Sequence, residues 1–210
     1  MIFYQVPKYL DKILLVNLKL CIEWALPTII LVADAKIVYN CSMNGAKTQI
    51  LTDEQVKQII KRLAYQVYEN NFGEKDLVIA GIEGRGEQVA QLLVNELTEI
   101  CKIKLLTTSI VLDKSNPAEK QILLSNTKLE VKNKVVIVVD DVLNTGKTLL
   151  YSLIPLVANK SRKIQTLVLV DRNHKSFPVA ADYIGTALST TLQEHIEVTI
   201  ARNKVNVYLK

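Results

Sequence analysis

Asp140 and Asp141 stand side by side at the end of the apolar run Val135-Val136-Ile137-Val138-Val139. After Val142-Leu143-Asn144 come Thr145-Gly146-Lys147-Thr148 and a second apolar stretch. Ionised carboxylates only accept hydrogen bonds, which suits a sugar diol and repels a second phosphate. Thr145, Gly146, Lys147 and Thr148 instead offer successive backbone N–H groups, two hydroxyls and the positive end of the following helix to one phosphate. Together the two halves fit a sugar 5-phosphate. Their place agrees, because a strand buried on both faces reads as a continuous run of β-formers and open α/β sheets bind ligands at the carboxyl ends of such strands.

Gly146-Lys147-Thr148 also ends like a nucleotide P-loop, but that motif needs a glycine five places before Gly146, where Asp141 stands. A second candidate is the turn Glu83-Gly84-Arg85-Gly86, which follows another apolar run. An arginine there can grip diphosphate oxygens with its planar fork and counter charge that grows on them. A third is Asp171-Arg172, again at the end of a strand-like run. Each has a bland counterpart: solvated acids before a turn, a solvent-facing arginine, and a surface ion pair worth little.

The elements that would position these groups follow from periodicity. Thr52-Asp53-Glu54-Gln55 is a capping box, and Val56, Ile59, Ile60, Leu63, Ala64, Val67 and Tyr68 then repeat at helical spacing toward Gly73. Residues 77–82 read as a buried strand, Gly84-Arg85-Gly86 as its exit, and Val89, Ala90, Leu92, Leu93 and Leu97 as the returning helix. Residues 103–112 form a second strand, and 113–131 a long connection of the kind compact domains keep for lids and binding. The strand at Val135, a helix over 146–160 that Pro155 kinks, and a strand over 164–170 follow. Alternating strands and helices predict a doubly wound parallel α/β sheet, and 196–200 with 205–209 a closing hairpin around Arg202-Asn203-Lys204.

With 210 residues, 49% hydrophobic and 22% charged, the chain supports one domain with a full core and is not disordered. The net charge of +5 is spread rather than blocked, so it does not separate an anionic small molecule from a nucleic acid. Cys21, Cys41 and Cys101 are odd in number and lack metal-ligand spacing, which predicts reduced thiols in a cytoplasmic protein and no structural metal. Residues 13–33 are apolar, but Lys19, Glu23 and Pro27 cut them into pieces too short for a bilayer, so no membrane partner is expected. Ala33-Asp34-Ala35 mimics a signal cleavage site, yet the preferred explanation for residues 1–42 is translation that starts at Met43, ahead of a domain over 43–210.

The run Val138-Val139-Asp140-Asp141-Val142-Leu143-Asn144-Thr145-Gly146-Lys147-Thr148 resembles the phosphoribosyl pyrophosphate loop of the type I phosphoribosyltransferases. Residues 169–185, from Leu169-Val170-Asp171-Arg172-Asn173-His174-Lys175 to Asp182-Tyr183-Ile184-Gly185, resemble one branch of that family, the pyrimidine-operon attenuators that also act as uracil phosphoribosyltransferases. The likeness runs from residue 50 to residue 210. It implies a type I phosphoribosyltransferase-like sheet with a small hood, and transfer of phosphoribosyl from its pyrophosphate to a base, with uracil preferred over a 6-oxopurine. It implies Asp140 and Asp141 at the ribose diol, Val142, Leu143, Asn144, Thr145, Gly146, Lys147 and Thr148 as the 5-phosphate loop, and Glu83, Gly84, Arg85 and Gly86 as the pyrophosphate loop. Val170 and Asp171 would border the base, Arg172 would reach pyrophosphate, and Tyr183, Ile184 and Gly185 would form part of the hood. Mg²⁺ would be held by substrate and water rather than by dedicated protein ligands.

The resemblance also implies at least a dimer, and it raises RNA as a partner. Tyr65, Ala180 and Thr186 stand where the attenuators commonly carry histidine, arginine and lysine, which makes RNA the less favoured partner. In the lid, Val111-Leu112-Asp113-Lys114 lacks the arginine or tyrosine usual in the family. Lys114 and Lys120 are then the candidates to close over pyrophosphate, and a scaffold without turnover is the third class weighed. His174 is expected at the surface.

Overall fold

The computed structural model describes residues 47–210 except 115, 119, 120, 192, 202 and 203, so the expectations for residues 1–42, Met43, Lys120 and the turn at Arg202-Asn203 lie outside the described residues. In chain order the elements are β1 (Thr48–Leu51), α1 (Asp53–Asn71), β2 (Asp76–Ile82), α2 (Arg85–Ile100), β3 (Lys104–Val111), β4 (Leu123–Leu124) and β5 (Val135–Leu143). There follow α3 (Lys147–Ser152), α4 (Ile154–Ala158), β6 (Lys163–Asp171), β7 (Tyr183–Ala187), β8 (Ile196–Ala201) and β9 (Lys204–Leu209).

Six strands form the main sheet in the order β4-β3-β2-β5-β6-β7. All neighbours from β3 to β7 are parallel, and only the two-residue β4 runs antiparallel, against β3. The core alternates as a two-faced sheet requires. Leu77, Ile79, Val135, Ile137, Val139, Leu167 and Leu169 point into a cluster with Val56, Ile60, Leu63 and Val67 of α1 and Val89, Leu93 and Leu97 of α2. Val78, Ala80, Val136, Val138 and Val168 point the other way, against Leu149, Leu156, Leu112 and Val131. Each buried Val, Leu or Ile among them contributes about 1.5–3 kcal/mol relative to exposure, which fixes the strand that carries the paired acids.

The capping box at α1 is formed: the Gln55 N–H donates to Thr52 Oγ1 at 3.4 Å and the Thr52 N–H to Gln55 Oε1 at 2.9 Å. The closing hairpin is β8 and β9, with Val198 facing Val207 and Ile196 facing Leu209. β1 adds to β9 to make a separate three-stranded sheet, and the Val205 N–H donates to Asp53 Oδ1 at 2.8 Å, tying that sheet to the start of α1. Two expectations need correction. The helix over 146–160 is not one kinked helix but two short ones divided at Leu153, because Pro155 has no N–H to carry the ladder across. Residues 183–187 are the outer strand β7, paired in parallel with β6, rather than a hood.

Candidate active site

The loops leaving β2, β5, β6 and β7 meet at the carboxyl edge of the sheet, and glycines set how closely. A Cβ on Gly86 would lie 2.8 Å from Val139 O and 3.0 Å from Asp140 Oδ1, and one on Gly81 would lie 2.6 Å from Glu87 Cα. Only glycine lets the first turn of α2 rest on the end of β5, so the turn Glu83-Gly84-Arg85-Gly86 sits directly over Asp140. Gly84 holds φ at +95°, a conformation that other residues reach only with strain. The Glu83 N–H donates to Ile110 O at 3.0 Å, anchoring the turn to β3 as well. Arg85 is exposed at the rim, with Nη2 3.5 Å from Glu197 Oε1 of β8.

Asp140 and Asp141 are buried, at 5% and 9% exposure. Asp140 Oδ1 accepts the Asp141 N–H at 3.0 Å, and Lys114 Nζ lies 3.8 Å away. Burial, then the adjacent Asp141, push the Asp140 carboxyl up to about 8, and Lys114 only partly offsets this. Two buried acids this close would repel if both were ionised, so Asp140 keeps its proton near neutral pH until a diol or a divalent cation favours its charged form. The described residues contain no cluster of three or more His, Cys, Asp or Glu side chains able to hold a metal. The carboxylate oxygens of Asp140 and Asp141 are hard donors of the kind that would suit a magnesium ion brought in with the substrate.

The loop after β5 is braced from outside. Thr145 O accepts the N–H groups of Ser176 at 2.9 Å and Phe177 at 3.0 Å, and the Lys147 N–H donates to Thr145 Oγ1 at 3.3 Å. Gly146 adopts φ +83°, with Val179 packed against it. Asn144 and Thr145 are exposed, and Lys147 and Thr148 half-buried. β5 continues through Val142 and Leu143, and Leu143 is 2% exposed within the core, so the open part of this loop starts at Asn144. A pocket of about 430 Å³ lies between Asn144 and Thr145 on one side and Arg172, Asn173, His174, Lys175 and Ser176 on the other. A larger cavity of about 860 Å³, between the 117–132 connection and α3 and α4, holds none of the paired acids.

The side chains of the base-side residues are largely committed within the protein. The Val170 side chain is fully buried in the α1–α2 core and faces no open space. Asp171 and Arg172 do not pair with each other: Asp171 accepts the Asn173 N–H at 2.9 Å and pairs with Lys175 at 2.9 Å. Arg172, 5% exposed, donates to Thr190 Oγ1 at 2.6 Å, Asn144 Oδ1 at 3.1 Å and Thr191 O at 2.8 Å rather than reaching outward. Tyr183 aligns with Leu167 and Ile184 with Val168, well below the edge at Asp171 and Ala187. The Tyr183 hydroxyl is buried against Gln165 at 2.7 Å, and Gly185 is pressed on Leu169 O. The segment at the edge is instead 188–191, where the Leu188 N–H donates to Asp171 O at 2.8 Å and the half-buried His174 ring contacts Thr190 O. Thr190 and Thr191 escaped the sequence reading; treating 183–187 as a strand is the one signal that would have put the next loop at the same edge.

A parallel sheet with an arginine turn, paired acids and a threonine loop at one edge defines the phosphoribosyltransferase class. The chain belongs to the phosphoribosyl transferase domain family, whose model matches residues 46–200, and by that membership it is a phosphoribosyltransferase enzyme. Among its relatives are the proteins named "Bifunctional protein PyrR" of Clostridium acetobutylicum and Brevibacillus brevis. The first is 34% identical over 77% of this chain and 97% of its own length, and the second 35% identical over 74% and 90%. In fold the chain is similar to the hypoxanthine phosphoribosyltransferase of Trypanosoma cruzi, with a TM-score of 0.65 and 18% identity over 77% of this chain and 96% of that one.

Proposed function

We propose that the chain transfers the 5-phosphoribosyl unit of phosphoribosyl pyrophosphate to a nucleobase nitrogen, uracil in first place, with release of pyrophosphate. The observation that carries this is the buried, under-compensated pair Asp140-Asp141 between the Gly86 turn and the Thr145-Gly146-Lys147-Thr148 loop. In the reaction the anomeric carbon–oxygen bond to pyrophosphate breaks and the bond to the base nitrogen forms. Positive charge develops on the ring and negative charge on the leaving group, as in glycoside hydrolysis. Asp140 and Asp141 accept the ribose hydroxyls and favour the cationic ring, the N–H groups of the loop at 144–148 hold the 5-phosphate, and Arg85 counters the charge on pyrophosphate. A magnesium ion brought in with the substrate near Asp140 and Asp141 would supply further neutralisation of the leaving group's charge.

Uracil stands first on the likeness of residues 169–185 to the pyrimidine-operon attenuators. The test is product formation from phosphoribosyl pyrophosphate and Mg²⁺ with uracil, hypoxanthine or guanine in turn. Turnover with uracil alone is expected, turnover only with a purine moves the base assignment, and no turnover with any base returns the scaffold class. RNA binding ranks second, because exposed Tyr65 and Ala180 bring no charge to the positions where that branch uses it. Tight binding of a pyrimidine-leader RNA with a steep salt dependence would reverse that ranking. No helix among the described residues is long and apolar enough to cross a membrane.

A further inference from the structure

Arg172 joins loops that belong to three different strands. Its backbone N–H donates to Leu143 O at 3.0 Å, at the end of β5. Its guanidinium bonds Asn144 Oδ1 in the loop after β5, and Thr190 Oγ1 and Thr191 O in the loop after β7. With the residue 5% exposed, all three guanidinium nitrogens are committed inside the protein. A guanidinium presents its donors in one rigid plane, so acceptors held by different nitrogens are held relative to each other. The bridge is braced on both sides: Ser176 and Phe177 fix Thr145 O, and the Leu188 N–H fixes Asp171 O.

We propose that Arg172 is a positioning residue that couples the two substrate subsites. It transmits the order of the sugar-phosphate loop to the loop at 188–191, which closes the base side, and it does not itself bind pyrophosphate. This rests on the assignment of residues 144–148 to the sugar phosphate. A phosphate held by that loop immobilises its backbone and with it the Asn144 side chain, and the planar fork then fixes Thr190 and Thr191. Such coupling is reciprocal, so a base under the 188–191 loop tightens sugar-phosphate binding by the same factor. Lysine carries the charge but cannot span three acceptors from one nitrogen.

The experiment is amide hydrogen exchange on the full chain with and without ribose 5-phosphate, for the unaltered protein, Arg172→Lys and Thr190→Val. In the unaltered protein ribose 5-phosphate is expected to slow exchange at 144–148 and at 188–191 together. In Arg172→Lys, exchange at 188–191 should be about tenfold faster without ligand, the loss of one or two charge-assisted bonds, and should no longer respond to ligand, while 144–148 still does. Thr190→Val, which removes one bond, should fall between and serves if the lysine variant does not fold. Protection at 144–148 with none at 188–191, or unchanged exchange at 188–191 in both variants, overturns the coupling. No protection at 144–148 in the unaltered protein overturns the sugar-phosphate assignment instead. In kinetics, Arg172→Lys should raise KM for the base about tenfold and leave inhibition by pyrophosphate unmoved. Weakened pyrophosphate inhibition with an unmoved base KM would make Arg172 a pyrophosphate ligand and overturn the proposal.

Discussion

Two neighbouring strands of the sheet end in buried aspartates, and their surroundings treat them oppositely. Asp171, closing β6, is 1% exposed and has each oxygen matched, one by the Asn173 N–H and the other by Lys175. Asp140, near the end of β5, is 5% exposed, has another acid as its next residue, and lies 3.8 Å from Lys114 Nζ. Burial and that neighbour raise its carboxyl to about 8. A carboxylate whose charge is matched in place holds a loop. One whose charge would go unmatched holds its proton until a ligand favours the ionised form, and such groups cluster at functional sites.

Exchanging the acids for amides tests the contrast, and the largest effect belongs to β5. Asp141→Asn is expected to lower kcat for phosphoribosyl transfer by about 10²-fold or more with the thermal midpoint unchanged or raised, since it removes a group that acts on the developing cation and relieves like-charge repulsion. Near-normal steady-state rates would break the contrast. Asp171→Asn should do the reverse, costing about 1–3 kcal/mol of stability because Lys175 and the Asn173 N–H lose their charged partner, discounted for the partial exposure of Lys175. A Tm drop of several degrees with kcat at saturating substrates within about threefold is the expected result.

A smaller effect sharpens the same difference through pH. Asp140 is pushed up from 3.8 in the unfolded chain to about 8 in the fold. Between those values the unfolded chain gives up a proton that the folded chain keeps, so stability falls as pH rises across that window. Asp140→Asn cannot titrate and escapes the loss. Its Tm should match the unaltered protein near pH 4 and exceed it by about 4 °C or more near pH 8, while its turnover stays low. Parallel Tm profiles for the two proteins over that range would show that Asp140 is not strained by its neighbours.

The β5 side of the site is legible in sequence because every part of it is local. An unbroken β-forming run, two acids and a small polar loop declare a buried strand and what leaves its end, and the capping box and hairpin are local in the same way. The β6–β7 side is not, because there the deciding facts are registers. Whether Tyr183 stands over a ligand or inside the core depends on its alignment with Leu167, and its hydroxyl finds Gln165 only once β7 has paired with β6. Arg172 likewise has no local sign of its partners, since Asn144 and Thr190 lie 28 and 18 residues away along the chain. β1 was missed for the same reason: Thr48-Gln49-Ile50-Leu51 becomes a strand by pairing with the far end of the chain at β9.

The smallest effect concerns an acid outside the main sheet, Glu197 of β8. It is matched more fully than either aspartate, at 2.8 Å from Lys47 and 2.9 Å from Lys210, with Arg85 at 3.5 Å. Hydrogen bonds from Lys47 and Lys210 hold its carboxyl down to about 2, so it is charged at any working pH. Being solvated, it adds little to stability, but it competes with pyrophosphate for Arg85. Glu197→Gln should leave Tm within about 2 °C and tighten product inhibition by pyrophosphate about two- to threefold at low salt, with the gain vanishing toward 0.5 M salt as solvent-exposed charges are screened. A loss of pyrophosphate affinity would mean that Glu197 aims Arg85 rather than restrains it, which would place a matched acid among the groups that act on the reaction.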